Sequence, residues 1–190
     1  MRIGLFGGSF DPVHHGHLLA ARALREGLAL EEVRLIPAGM QPLKRDGHRA
    51  AGEHRGRMVE LAILGEPGLA CDAIELQREG PSYTIDTVRE LSRRMPGAAF
   101  TLLLGSDAAA DLPRWREAEA LRTLVRIVIF HRAGEPPVEG FVSRCEVPVV
   151  QLSATEIRAR VAAGQSIRYM TPDAVVDYIA AHRLYRGEGE

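Results

Sequence analysis

Gly7-Gly8-Ser9-Phe10-Asp11-Pro12-Val13-His14-His15-Gly16-His17 is the stretch on which the reading of this chain turns. It follows Ile3-Gly4-Leu5-Phe6, an apolar run that reads as a buried strand. It leads into Leu18-Leu19-Ala20-Ala21-Arg22-Ala23-Leu24, which reads as a helix. A strand, a glycine turn and a helix start make a phosphate site, because the first amide N–H groups of a helix have no intrahelical partner. Gly7 and Gly8 let backbone approach a ligand where a Cβ would collide. His14 and His17 stand three apart, so on a first helical turn they share one face. Two imidazoles at a positive helix end form an anion clamp.

Other readings of the same residues are weaker. The stretch is not the G-x-G-x-x-G of dinucleotide folds, and it lacks the Gly-Lys-Ser/Thr of a P-loop. The histidines could be zinc ligands, but no Cys or carboxylate lies at ligand spacing nearby, so no protein-held metal is expected.

The rest of the composition bounds the answer. A chain of 190 residues is long enough for a core and is read as one domain, 1–190, with a C-terminal helical part from about 152 to 190. Hydrophobic content of 46% with 26% charged residues marks a globular chain. A formal net charge of −1 argues against a general nucleic-acid binder, so phosphate recognition must be local. Cys71 and Cys145 form no paired or metal-like spacing and suggest a reducing compartment. With no signal-peptide pattern and no apolar run long enough to span a bilayer, the expectation is a cytoplasmic protein.

Along the chain, Glu32–Pro37, Leu69–Ile74, Phe100–Leu104, Val125–Phe130 and Val147–Val150 read as further strands. Helical periods lie between them, over Arg55–Leu64, over Ile85–Leu91 with Ser82 or Thr84 as N-cap, and through Leu112–Leu124. Ala154–Ala163 and Pro172–His182 read as terminal helices. Strands alternating with helices predict an α/β fold, a Rossmann-like open parallel sheet with helices on both faces. The loop 38–52 carries Lys44, Arg45, His48 and Arg49, and leaves the carboxyl end of a strand, where open α/β sheets bind ligands.

His14-His15-Gly16-His17 after a Gly-rich turn resembles the His-x-Gly-His signature of the nucleotidylyltransferase superfamily. Leu152-Ser153-Ala154-Thr155-Glu156-Ile157-Arg158 is similar to that superfamily's second signature, a Ser/Thr-rich turn capping a helix with an arginine inside it. Ser82–Thr87, Gly105-Ser106-Asp107, Leu112-Pro113-Arg114-Trp115 and Arg168–Pro172 resemble the branch of bacterial nicotinate mononucleotide adenylyltransferases. The resemblance implies adenylyl transfer from ATP to nicotinate mononucleotide, giving nicotinate adenine dinucleotide and pyrophosphate.

The same resemblance implies roles. His14, His17 and Arg158 would act on the ATP phosphates, with Gly7, Gly8, Ser9, Phe10, Gly105, Asp107, Ser153 and Thr155 completing the ATP site. Ser9, Lys44, Tyr83, Thr84 and Trp115 would hold the mononucleotide, Trp115 by stacking. The family's Pro-His-Lys/Arg element reads Gln41-Pro42-Leu43-Lys44 here, so Lys44 keeps the cation without the histidine. Mg²⁺ would arrive with ATP rather than in a protein cage. Neither nucleic acid nor membrane is expected as a partner, and a homo-oligomer is left open. Another adenylyltransferase on this scaffold, using phosphopantetheine or nicotinamide mononucleotide, is the alternative, as is a nucleotide-sensing module without turnover.

Overall fold

A computed structural model describes residues 1–42, 47–132, 144–147 and 150–187. Six strands form one parallel sheet in the order β3-β2-β1-β4-β5-β6. They are β1 Arg2–Gly8, β2 Glu32–Pro37, β3 Leu69–Cys71, β4 Ala99–Gly105, β5 Arg126–Arg132 and β6 Arg144–Val147. This is the doubly wound order, and its direction reverses between β1 and β4. Leu5 of β1 stands beside Arg34 of β2 on one side and Leu102 of β4 on the other. The two central strands therefore send their following loops apart, and a crevice opens at their carboxyl ends.

Alternation along the strands explains why both faces carry helices. Ile3 and Leu5 of β1 and Leu102 and Leu104 of β4 join one apolar layer. That layer is covered by α3 Thr84–Arg94, α4 Ser106–Asp111 and α5 Ala118–Leu124, through Ile85, Val88, Leu91, Ala109 and Leu121. Phe6, Leu35, Leu103 and Val128 join the opposite layer. There they meet α1 His15–Gly27, α2 Gly52–Ala62, α6 Ala154–Ala162 and α7 Asp173–Ala181, through Leu24, Met58, Ile157 and Val175. No helix among the described residues is long and apolar enough to cross a membrane.

Departures from the sequence reading have local causes. β3 stops at Cys71 because Asp72 turns the chain: its Oδ1 accepts from the Ile74 amide at 3.1 Å, and its Oδ2 accepts from Arg34 at 2.9 Å. Helix α1 begins at His15, earlier than the apolar run suggests, with His14 as its N-cap. The N-cap of α3 is Tyr83 in extended backbone, not Ser82 or Thr84. Ser82 is instead buried against the loop after β2, its amide donating to the Met40 carbonyl at 2.8 Å. A Cβ on Gly39 would lie 2.3 Å from its hydroxyl oxygen. β6 covers Arg144–Val147, and residues 148 and 149 of the expected strand lie outside the described residues.

Candidate active site

A cleft of about 680 Å³ opens where β1 and β4 diverge. Its lining includes Gly7, Ser9, Phe10, His14 and His17 from the turn after β1, and Gly105 and Asp107 from the turn after β4. Ser153, Thr155 and Arg158 come from the start of α6. Two motifs more than a hundred residues apart in the chain thus share one crevice. Gly8 is not among the lining residues. A Cβ there would stand 2.9 Å from the Phe10 ring, so this glycine makes room for Phe10, which is buried at φ 46°.

The histidine pair is held by backbone and by stacking. His17 Nδ1 accepts from the His14 amide at 3.3 Å, an N-cap contact across the first turn of α1. An acceptor at Nδ1 leaves the ring proton of neutral His17 on Nε2, which becomes the donor. The two rings stack at 3.7 Å between centroids, and Phe10 packs edge-on to His17 at 5.0 Å. A Cβ on Gly16 would meet His14 Nδ1 at 3.0 Å, so the glycine between the histidines keeps this stack intact.

Turn 9–14 itself is gripped by groups far away in sequence. Arg158 donates to the Asp11 carbonyl at 2.7 Å and to Thr155 Oγ1 at 3.3 Å. Arg55, 2% exposed, donates to the Ser9 carbonyl at 2.8 Å and to the Ala50 carbonyl at 3.2 Å. Burial pulls its guanidinium below the ordinary value, opposed chiefly by the Asp11 carboxylate. The Asp11 carboxylate is buried and accepts from the Arg49 amide at 2.6 Å, the Ala50 amide at 3.1 Å and the Tyr185 hydroxyl at 2.7 Å. Thr171 Oγ1 donates to the Val13 carbonyl at 2.8 Å, and the His15 amide donates to the Met170 carbonyl at 3.0 Å. At α6, Ser153 is the N-cap, its hydroxyl accepting from the Glu156 amide at 3.1 Å.

Of the residues expected at the mononucleotide, Ser9 lines this cleft. Tyr83, Thr84 and Trp115 are not among the lining of the cleft. Tyr83 and Trp115 are half-buried against the α3–α5 layer, and the Arg116 guanidinium sits 4.8 Å over the Tyr83 ring. Lys44 lies outside the described residues. Ser9 reaches toward this side, its hydroxyl donating to Gln41 Oε1 at 3.1 Å. Behind the loop after β2, Glu75 accepts from Thr87 Oγ1 at 2.9 Å and from the Gly39 amide at 3.4 Å. Burial pushes its carboxyl above the ordinary range.

No group of three or more His, Cys, Asp or Glu among the described residues is arranged to hold a metal ion. Burial pushes the Cys71 thiol up to about 12, so it is no thiolate near neutrality.

Residues 5–160 match the model of the cytidylyltransferase-like family. The probable nicotinate-nucleotide adenylyltransferase of Roseiflexus sp. (strain RS-1) is 46% identical, over 97% of this chain and 98% of its own length. That of Thermus thermophilus is 44% identical, over 98% of this chain and 100% of its own. The chain belongs to the nicotinate-nucleotide adenylyltransferase family. The nicotinic acid mononucleotide adenylyltransferase of Plasmodium falciparum, solved with NaAD, superposes with a TM-score of 0.80 over 97% of each chain. At 20% identity that likeness speaks for the fold.

In this member of the nicotinate-nucleotide adenylyltransferase family, several site groups carry no sequence signal of their role. Asp11 stands inside the leading motif and Arg55 at a helix start, and only their burial reveals a structural charge. Tyr185 carries no signal at all, because its partner is 174 positions away.

Proposed function

We propose that this chain transfers the adenylyl group of ATP to nicotinate mononucleotide, as an enzyme of NAD biosynthesis. The observation that carries the reading is the meeting of both phosphate signatures in one cleft, tied by the 2.7 Å bond from Arg158 to the Asp11 carbonyl. A phosphate oxygen of the mononucleotide attacks the α-phosphorus of ATP in line. The new P–O bond forms as the bond to pyrophosphate breaks, and nicotinate adenine dinucleotide is released. The attacking monoester is ionised near neutrality, so the reaction needs no general base and no covalent nucleophile. Catalysis is then positioning plus charge stabilisation.

In this reading His14 and His17 face the α-phosphate and the bridging oxygen, with His17 Nε2–H as donor. Arg158, Ser153 and Thr155 receive the β and γ phosphates, and Asp107 receives the adenosine ribose beside Gly105. Gly7, Ser9 and Phe10 shape the backbone floor, and Gly8 makes room for the Phe10 ring. Ser9, Lys44, Tyr83, Thr84 and Trp115 receive the mononucleotide. Mg²⁺ enters as part of the ATP substrate and keeps most of its waters. We further read the chain as one catalytic unit, cytoplasmic, without nucleic-acid or membrane partners and with its oligomeric state open. A pyrophosphate-release assay with ATP and each candidate acceptor tests the reading. Release with nicotinate mononucleotide supports it, and release only with phosphopantetheine, or with none, defeats it.

A further inference from the structure

Tyr185 is the last aromatic side chain of the described residues, and it does not line the cleft. Its hydroxyl nevertheless donates to Asp11 Oδ1 at 2.7 Å. The Asp11 carboxylate takes two more donors, the amides of Arg49 and Ala50, while the Asp11 carbonyl takes Arg158. Asp11 is 4% exposed, so water cannot replace a missing donor cheaply. Tyr185 holds φ 63°, a backbone state that a tyrosine keeps only when its surroundings impose it. The segment at Tyr185 is therefore held in place, and what it holds onto is turn 9–14.

We propose that Tyr185 is a positioning residue for the nucleotide cleft, acting through the Asp11 carboxylate to fix turn 9–14 against the loop at Arg49–Ala50. The proposal rests on the reading of this cleft as the ATP site. Burial, then the adjacent Asp11 carboxylate, push the Tyr185 hydroxyl well above the ordinary phenol range, so it remains a donor at every working pH. Three separated segments depend on this one carboxylate: the leading motif, the loop before α2 and the turn that follows α7 at Tyr185. Arg158 bonds to the carbonyl of the same residue. A shift of Asp11 therefore moves the acceptor that orients the guanidinium expected at the β and γ phosphates.

The test is Tyr185→Phe, which keeps the ring and removes only the hydroxyl. Hydrogen exchange read by mass spectrometry should quicken about 3- to 10-fold in the peptides covering 9–15 and 47–51, as suits the loss of one buried bond. Peptides of β1 and β4 should keep wild-type rates. Affinity for a non-hydrolysable ATP analogue should fall about 3- to 10-fold, and the KM for nicotinate mononucleotide should not change. A purely structural role would lower the folded fraction and Vmax while leaving the analogue affinity of the folded protein as it was. The double variant Asp11→Ala/Tyr185→Phe should be no worse than Asp11→Ala alone, since the alanine has already removed the acceptor of the Tyr185 hydroxyl. If Asp11→Ala fails to fold, the single Tyr185→Phe measurements decide. Wild-type exchange in both peptides together with wild-type analogue affinity would overturn the proposal. A wild-type protein that binds no ATP analogue would instead defeat the functional reading, and the exchange data would still decide the role of Tyr185.

Discussion

The two halves of the site are built differently. On the side proposed for the ATP phosphates, turn 9–14 is held by Arg55, Arg158, Tyr185 and Thr171, all bonded to it at 2.7–2.8 Å. Donors from four separate parts of the chain fix the carbonyls and the carboxylate of one short turn. On the side proposed for the mononucleotide, Tyr83 and Trp115 rest on the α3–α5 layer, with Arg116 stacked over Tyr83 and ion-paired to Asp86 at 3.5 Å. The first arrangement suits stabilisation of charge in a transition state, which needs donors fixed beforehand. The second suits recognition of a flat ring and its substituent by packing. Rate should therefore be lost on the phosphate side and acceptor affinity on the other.

The largest effect expected is that of His17→Ala. It removes a preorganised donor, so kcat should fall about 10²- to 10³-fold with a far smaller change in the KM for ATP. Steady-state kinetics check it, and a variant with wild-type kcat would remove His17 from the mechanism. Next is Arg158→Ala, which loses both the phosphate contact and the bond to the Asp11 carbonyl. It should lower kcat/KM for ATP by about 10- to 100-fold. Arg158→Lys keeps the charge but not the two-pronged geometry, so it should recover only part. An unchanged ATP dependence in both variants would reduce the second motif to a helix cap.

On the other side of the comparison, Trp115→Ala should raise the mononucleotide KM about 10-fold and leave ATP affinity unaltered. A rise in the ATP KM instead would merge the two halves into one. The smallest effect is on stability. Burial raises the Glu75 carboxyl above its ordinary range, so the native protein holds a proton that the unfolded chain has released. Stability then declines as pH rises through that window. Glu75→Gln removes the penalty, so its Tm should exceed the wild-type value at pH 8, with the gap closing toward pH 5. Parallel Tm–pH curves for the two proteins would show that Glu75 carries no such penalty.

What could be read from sequence follows the same division. The parallel sheet was legible because its strands are apolar runs separated by helical periods. The phosphate turn was legible because glycines, histidines and a helix start are adjacent in the chain. A cap at Ser153 or Thr155 was legible for that reason too, and Ser153 is the one that caps α6. Asp11, Arg55 and Tyr185 were not, because their function lies in pairings between distant segments, and burial is what turns each into a structural group. The N-cap of α3 was misplaced because Ser82 is claimed by tertiary contact with Gly39 and Met40, a competition that local propensity cannot see. The ends of β3 and α1 moved for similar reasons, through the Asp72 turn and the His14–His17 contact.

The central claim is adenylyl transfer to nicotinate mononucleotide, and substrate choice tests it most directly. Nicotinate and nicotinamide mononucleotides differ only in a carboxylate against an amide. Backbone donors aimed at that substituent would suit the carboxylate, because the amide would turn its NH₂ toward a donor and leave that donor unpaired. The loss of a charge-assisted bond adds to this. With ATP saturating, kcat/KM measured by pyrophosphate release should favour the nicotinate form by at least about 10²-fold. Equal values for the two mononucleotides, or no pyrophosphate from either, would contradict the account.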